Sequence, residues 1–257
     1  MKLSLNGQLI PQLTLQGDEP EFNYAYGVFE TIRTYNGKPF ELLGHLQRLR
    51  RSAESISLTI PQSNEQLTKW VQAHCASQQE QRIKLIAAPD KIYIISKPLE
   101  IDPKIYKRGV SVGLYTLKRS EPSVKSLARI HEYLAWQQAK SRDQHDAILI
   151  NERKEVYECA QANFYYVKDD VIYTARHGIL SGITRNVVLQ LANQRYTVQQ
   201  KRIYLDEVLR ADECFLTQTS SGVVPVVKIE ERPVGNGKPG MVTKDLMELF
   251  SDYVQNR

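Results

Sequence analysis

The chain has 257 residues, 42% of them hydrophobic and 25% charged, with a formal net charge of +5. That length can bury one large core or two modest ones. No run of about 18 apolar residues offers a membrane span, and the mild, dispersed positive charge excludes a nucleic-acid stripe while leaving attraction for small anions. The opening Met1-Lys2-Leu3-Ser4-Leu5-Asn6-Gly7 alternates like a strand and does not read as an export signal. Cys75, Cys159 and Cys214 are odd in number and widely spaced, which argues against a disulfide framework and against a zinc site. A reduced, cytoplasmic chain without a metal is expected.

In chain order, Lys2 to Leu5, the Asn6-Gly7 turn and Gln8 to Ile10 read as a hairpin. Val28 to Tyr35, the Asn36-Gly37 turn and Pro39 to Leu43 read as a second strand pair. Helical spacing of apolar residues follows over 43–56, with Arg48, Arg50 and Arg51 among them, and again over Asn64 to Ser77. Ile83 to Ile86, Lys91 to Ile95 and Val110 to Tyr115 read as strands. Residues 118–124 turn polar around Pro122 and are expected to link a first domain, 1–117, to a second, 125–257.

Beyond the link, 127–140 reads as a helix, and Asp146 to Ile150, Val156 to Glu158, Asn163 to Val167 and Val171 to Tyr173 as strands. A helix over 184–193 precedes short strands at 196–198 and 202–204. Glu213 to Thr217 and Val223 to Val227 suggest paired strands, and a helix closes the chain over 243–254. Runs of strands followed by helices indicate an α+β class with two subdomains, the second built on a barrel-like or twisted sheet.

Three segments could receive an anion. In Leu180-Ser181-Gly182-Ile183-Thr184-Arg185 a helix begins; its first N–H groups are unpaired, Gly182 permits close approach, and Thr184 adds a hydroxyl. The same residues also describe an ordinary helix start. Thr217-Gln218-Thr219-Ser220-Ser221 is rich in hydroxyls at a strand end, and also describes a polar turn. Arg48 could present a bidentate fork to phosphate, or lie on a solvated helix face.

Taken together and in order, several motifs resemble the class IV aminotransferase family of pyridoxal phosphate enzymes. They are Tyr26-Gly27-Val28-Phe29-Glu30-Thr31-Ile32-Arg33, His45-Leu46-Gln47-Arg48-Leu49, Val124-Lys125-Ser126-Leu127, Glu158-Cys159-Ala160-Gln161-Ala162-Asn163-Phe164, Leu180 to Arg185, and Ala211 to Thr217. The resemblance implies a fold type IV architecture like that of D-amino acid aminotransferases, with pyridoxal 5'-phosphate as cofactor. It implies that Lys125, which no spacing singles out, forms the covalent link to the cofactor and shuttles protons, for which its amine must be partly neutral. Glu158 matches the carboxylate that pairs with the pyridine nitrogen. Arg48 matches the phosphate-binding arginine, Ile183 and Thr184 the donors at the helix start, and Thr219 with Ser220 those opposite. The family also implies a homodimer acting on a small amine or amino acid.

Within the family the motifs divide. Thr31 stands where branched-chain enzymes usually have glycine, and Ile130 where they place a tyrosine. Lys97-Pro98-Leu99-Glu100 replaces the arginine and histidine of D-amino acid enzymes. Thr31, Arg129 four positions after Lys125, and the Glu158 to Asn163 run favour 4-amino-4-deoxychorismate lyase, which forms 4-aminobenzoate and pyruvate for folate synthesis. That activity is the first expectation, with Thr31, Tyr26 and Arg129 as substrate contacts. The glycine-rich stretch Gly235 to Gly240 looks instead like the transaminases, so a branched-chain or D-amino acid aminotransferase is the alternative. A non-catalytic cofactor-binding protein is a remote third, disfavoured by the presence of Lys125 and Glu158.

Overall fold

The alternating residues of the first hundred positions form a six-stranded antiparallel sheet in the computed structural model, which describes residues 1–14, 17–76 and 79–256. Its elements are β1 (Lys2–Leu5), β2 (Gln8–Leu9), α1 (Pro20–Asn23), β3 (Val28–Tyr35), β4 (Lys38–Pro39), α2 (Leu42–Ser55), α3 (Asn64–His74), β5 (Gln81–Ala88) and β6 (Lys91–Pro98). The strand order is β2-β1-β6-β5-β3-β4. Alternation on β3 puts Val28, Glu30, Ile32 and Thr34 on the fully buried face and Phe29, Thr31 and Arg33 on the other. The buried face joins Ile83, Leu85 and Ile94 of the sheet to Leu46, Leu49, Leu67 and Val71 of α2 and α3.

The strand expected over Pro39 to Leu43 shrinks to Lys38–Pro39. Asn36 and Gly37 turn the hairpin with positive φ, and Glu41, at φ 47°, swings the chain straight into α2. Among the described residues α3 ends at His74, and Ser77, where a longer helix was expected to stop, lies outside them.

The second unit contains α4 (Lys104–Lys107), β7 (Val110–Thr116), α5 (Ile130–Ser141), β8 (Asp146–Ile150), β9 (Glu155–Cys159), β10 (Asn163–Lys168) and β11 (Val171–Ala175). It continues through α6 (Ile183–Ala192), β12 (Thr197–Lys201), β13 (Ile203–Tyr204), α7 (Leu205–Val208), β14 (Glu213–Gln218), β15 (Gly222–Ile229), β16 (Arg232–Pro233) and α8 (Met241–Gln255). Its strands run β12-β11-β10-β14-β15-β7-β8-β9-β13, with β16 beside β15. The two ends of that order, β12 and β13, are separated in sequence by Arg202 alone, so the sheet must curl until its edges meet. Side chains such as Ile148, Phe164, Leu216 and Val224 form its core.

The division between units differs from the expected 1–117, 118–124 and 125–257. One unit comprises 1–100 with 123–129, the other 101–122 with 130–257. The reason is strand pairing: β7 is hydrogen-bonded in parallel to both β15 and β8, which commits it to the second sheet. Residues 125–127 instead lie beside β3, where Val28 bridges Ser126 and the Leu127 N–H donates to the Gly27 carbonyl at 2.9 Å. For the same reason α5 starts at Ile130 and not at 127.

Half-buried His145 leads into β8, its N–H bonded to the Ser111 carbonyl at 2.7 Å. Burial, helped by the charge of Lys140, pushes its pKa down to about 4. A histidine lowered in the folded state binds its proton first in the unfolded chain, so its stabilising effect is complete above the unfolded value of about 6.5 and is lost as pH falls towards 4. The thermal midpoint should therefore decline between pH 6.5 and 4, and His145→Gln should flatten that slope in a pH series of melting curves.

Candidate active site

Two sets of candidate site residues emerge, one on each unit. In the second unit β9 delivers Glu158 at 4% exposure, a carboxylate that must collect its donors from the protein. Asn163, opening β10, donates from Nδ2 to Glu158 Oε2 at 2.9 Å and to the Leu180 carbonyl at 2.9 Å. The Leu180 N–H lies 3.1 Å from each Glu158 oxygen. Arg119 supplies the balancing charge: Nη1 is 2.5 Å from Glu158 Oε1, while Nε is 2.8 Å from Glu132. A further Arg119 bond, to the Pro122 carbonyl at 3.1 Å, holds the segment before Lys125 in place.

Asn163 also ties this carboxylate to the start of α6. A Cβ on Gly182, the residue before the helix, would come 2.1 Å from Asn163 Oδ1, so only glycine lets the helix begin there. Gly182 offers no side-chain cap to the first N–H groups of α6, and Ile183 and Thr184 at that end are buried. At α8, in contrast, Glu213 accepts the Val242 and Thr243 N–H groups at 3.0 and 2.8 Å. Thr219 and Ser220 lie in the turn between β14 and β15, next to Thr217, which is the register partner of Asn163. Glu158, 180–184 and 217–220 are thus gathered at one end of the second sheet.

In the first unit, Lys125 follows an edge pairing with β3: its carbonyl accepts the Phe29 N–H at 2.9 Å, and its N–H donates to Ser52 Oγ at 3.1 Å. Gly27 is required there, since a Cβ would sit 2.8 Å from both the Ala87 carbonyl and Leu127 Cδ1. Three cations then surround one ring. Lys125 Nζ is 4.7 Å, Lys84 Nζ 4.9 Å and Arg129 Cζ 5.6 Å from the centre of Phe29. Thr31 is the register partner of Lys84 across β3 and β5. Partial burial and the charges of Arg129 and Arg82 push the Lys84 ammonium below its usual pKa, and an anion placed there would relieve that repulsion.

Arg48 is not on a solvated face. It is 4% exposed and grips Glu30 with both arms, Nε to Oε1 at 2.7 Å and Nη2 to Oε2 at 2.6 Å, while His45 Nδ1 meets Oε2 at 2.8 Å. Burial acts to raise the Glu30 pKa, but the Arg48 charge and these hydrogen bonds outweigh it and bring it to about 2. Burial lowers the His45 pKa. Ser52, one turn along α2 from Arg48, takes the Lys125 amide, so both expected cofactor residues of this unit lie along one helix face. Tyr26, expected near the substrate, instead donates its hydroxyl to the Ile56 carbonyl at 3.0 Å and closes the end of α2.

Arg119, Lys84 and Phe29 were not singled out from the sequence. Strand alternation could have placed Phe29 beside Thr31, but Lys84 depends on the β3–β5 register and Arg119 on the folding back of 118–124. The thiols of Cys159 and Cys214 are buried and pushed up by that burial, as inert cysteines should be. No group of metal-ligating side chains is found among the described residues.

A buried carboxylate beside an uncapped helix start, with a glycine where a side chain would intrude, suits an anionic ring compound whose phosphate meets the helix and whose polar ring edge meets Glu158. The model of the family described as amino-transferase class IV matches residues 27–229. A probable branched-chain-amino-acid aminotransferase of Thermotoga maritima is 35% identical over 89% of this chain and 86% of its own length. A D-alanine aminotransferase of Bacillus licheniformis is 31% identical over 99% of this chain and 97% of its own. Among solved structures, a putative branched-chain amino acid aminotransferase from Thermotoga maritima superposes with a TM-score of 0.91 at 32% identity, covering 100% of this chain and 96% of that one. A branched-chain amino acid aminotransferase from T.th., solved with pyridoxamine 5'-phosphate, gives 0.89 at 26% identity, covering 100% and 94%.

Gly182→Ala should displace Asn163 or the start of α6 and weaken uptake of pyridoxal phosphate about tenfold or more, equivalent to about 1.4 kcal/mol, in an absorbance titration of the cofactor-free chain.

Proposed function

The chain belongs to the class IV aminotransferase family, whose cofactor is pyridoxal phosphate, and on that premise we propose that it transfers the amino group of an amino acid to a dicarboxylic 2-oxo acid such as 2-oxoglutarate. The observation that carries this reading is the pair of cations, Lys84 and Arg129, on the Phe29 ring beside Lys125. Two fixed positive charges suit a substrate with two carboxylates. The relatives described above are named aminotransferases, which supports this reading over the lyase expected from Thr31 and Arg129.

Bound pyridoxal phosphate supplies an electron sink for the pair released when the substrate's Cα–H bond breaks. Lys125 would hold the cofactor through Nζ and, once displaced by the substrate amine, take up the Cα proton and return it. Glu158, its plane set by Asn163, Leu180 and Arg119, would hold the proton of the ring nitrogen. Ile183, Thr184, Thr219 and Ser220 would receive the phosphate at the second sheet, and Arg48 would add a cation whose orientation Glu30 sets. Phe29 would shield one side of the reacting centre from water.

A homodimer in a reducing compartment accords with exposed Phe22, Tyr24 and Leu43 and with three unpaired cysteines. Among the described residues no helix is long and apolar enough to cross a membrane. Sedimentation of the holoenzyme should give twice the chain mass.

Wild-type holoenzyme should carry a borohydride-reducible link that Lys125→Ala abolishes. A panel of L- and D-amino acids should convert its cofactor to the pyridoxamine form, whereas aminodeoxychorismate should yield no 4-aminobenzoate. Formation of 4-aminobenzoate without any amino-acid half-reaction would restore the lyase. Lys84→Met should raise KM for 2-oxoglutarate roughly tenfold, the scale of one lost charge-assisted contact, with a smaller change in kcat; an unchanged KM would remove the carrying observation.

A further inference from the structure

Among the described residues, Arg48, Arg119 and Arg185 differ in one respect. Arg48 is matched by Glu30, and Arg119 by Glu158 and Glu132. Arg185, at 6% exposure, has no carboxylate partner: Nη2 donates to the Ala175 carbonyl at 3.1 Å and to Gln200 Oε1 at 2.9 Å, and buried Nε has no acceptor. A buried guanidinium without an anion is unfavourable. It also stands third in α6, close to the positive end of the helix dipole, where a cation is disfavoured again.

Tying α6 to β11 and β12 through Ala175 and Gln200 needs a donor but not a charge. The charge is therefore the unexplained part. One ligand offsets both penalties at once: an anion at the first turn of α6, where Gly182 leaves the N–H groups uncapped. We propose that Arg185 is a positioning residue for phosphate, holding the dianion at the start of α6 through its fixed charge from within the core and not by contact. The proposal rests on the reading of that helix start as the phosphate seat.

The reach of this charge is visible on a neighbour. Burial raises the Tyr165 hydroxyl's pKa and Arg185 acts against that rise. The same hydroxyl is 3.1 Å from Thr217 Oγ1, two residues before Thr219. Tyr165 thus lies beside both Arg185 and the strand end that leads to Thr219 and Ser220.

Two opposite effects distinguish this role from a structural one. With the full chain freed of cofactor, thermal midpoints are measured without anion, with inorganic phosphate and with pyridoxal phosphate, for wild type, Arg185→Gln and Arg185→Lys. Without anion, Arg185→Gln should melt at or above wild type, because an unmatched charge has been removed. It should bind phosphate roughly tenfold more weakly, and Arg185→Lys, which keeps the charge, should retain most of the wild-type phosphate response. A full phosphate response in Arg185→Gln overturns the proposal. So does a midpoint lowered equally in both variants, which would assign Arg185 to the stitching of α6. A wild type that phosphate does not stabilise would instead remove the phosphate seat itself, and the proposal with it.

Discussion

The site end of the second sheet depends on a carboxylate placed where water cannot reach it. Glu158 can remain buried only if the chain brings donors to it, and those donors come from three otherwise distant segments: Arg119 before Lys125, Asn163 at the head of β10, and Leu180 before α6. Satisfying one side chain fixes the approach of α6 and the course of 118–122. Arg119 also bonds Glu132 on α5, so the network carries two carboxylates and one guanidinium. Such a network has little tolerance for partial disruption, because each member removed strands the others.

The first unit solves the same problem for a second buried carboxylate. Glu30 points from β3 into an apolar core and is held there by Arg48 and His45 of α2. The pair fixes helix against strand, and Ser52 on the same helix then anchors the Lys125 backbone. Lys125, Lys84 and Arg129 end around Phe29, a concentration of positive charge whose stacking on an aromatic face supplies part of the compensation.

How far the sequence could be read depended on whether a feature was local. The Asn36-Gly37 hairpin, the alternation of β3, the amphipathic α2 and the strand runs from Asp146 to Val227 follow from near neighbours and match the structure. The motifs around Lys125, Glu158 and Gly182 carried the family resemblance because their chemistry is compact in sequence. Arg48 could be named but not placed: one-dimensional periodicity does not say that a carboxylate waits on the adjacent strand, so solvent and core were both open to it. Tyr26 looked equally available until its hydroxyl was found on the Ile56 carbonyl.

By itself the sequence determined the α+β class and, through its motifs, the family and its cofactor, and the same motifs are the ground for proposing Lys125, Glu158 and the helix start at Gly182 as site residues. These are properties of segments, set by periodicity, turn chemistry and short motifs. Only the tertiary structure decided where the units divide, since β7 belongs to whichever sheet hydrogen-bonds it, and 125–127 to the strand it lies beside. It alone matched Arg119 to Glu158 and Arg48 to Glu30, drew Lys84 to Phe29, and left Arg185 buried with no carboxylate partner among the described residues. Each of these depends on strand register and chain return over tens of residues, and electrostatic energy is a function of distance in space, which a sequence does not contain.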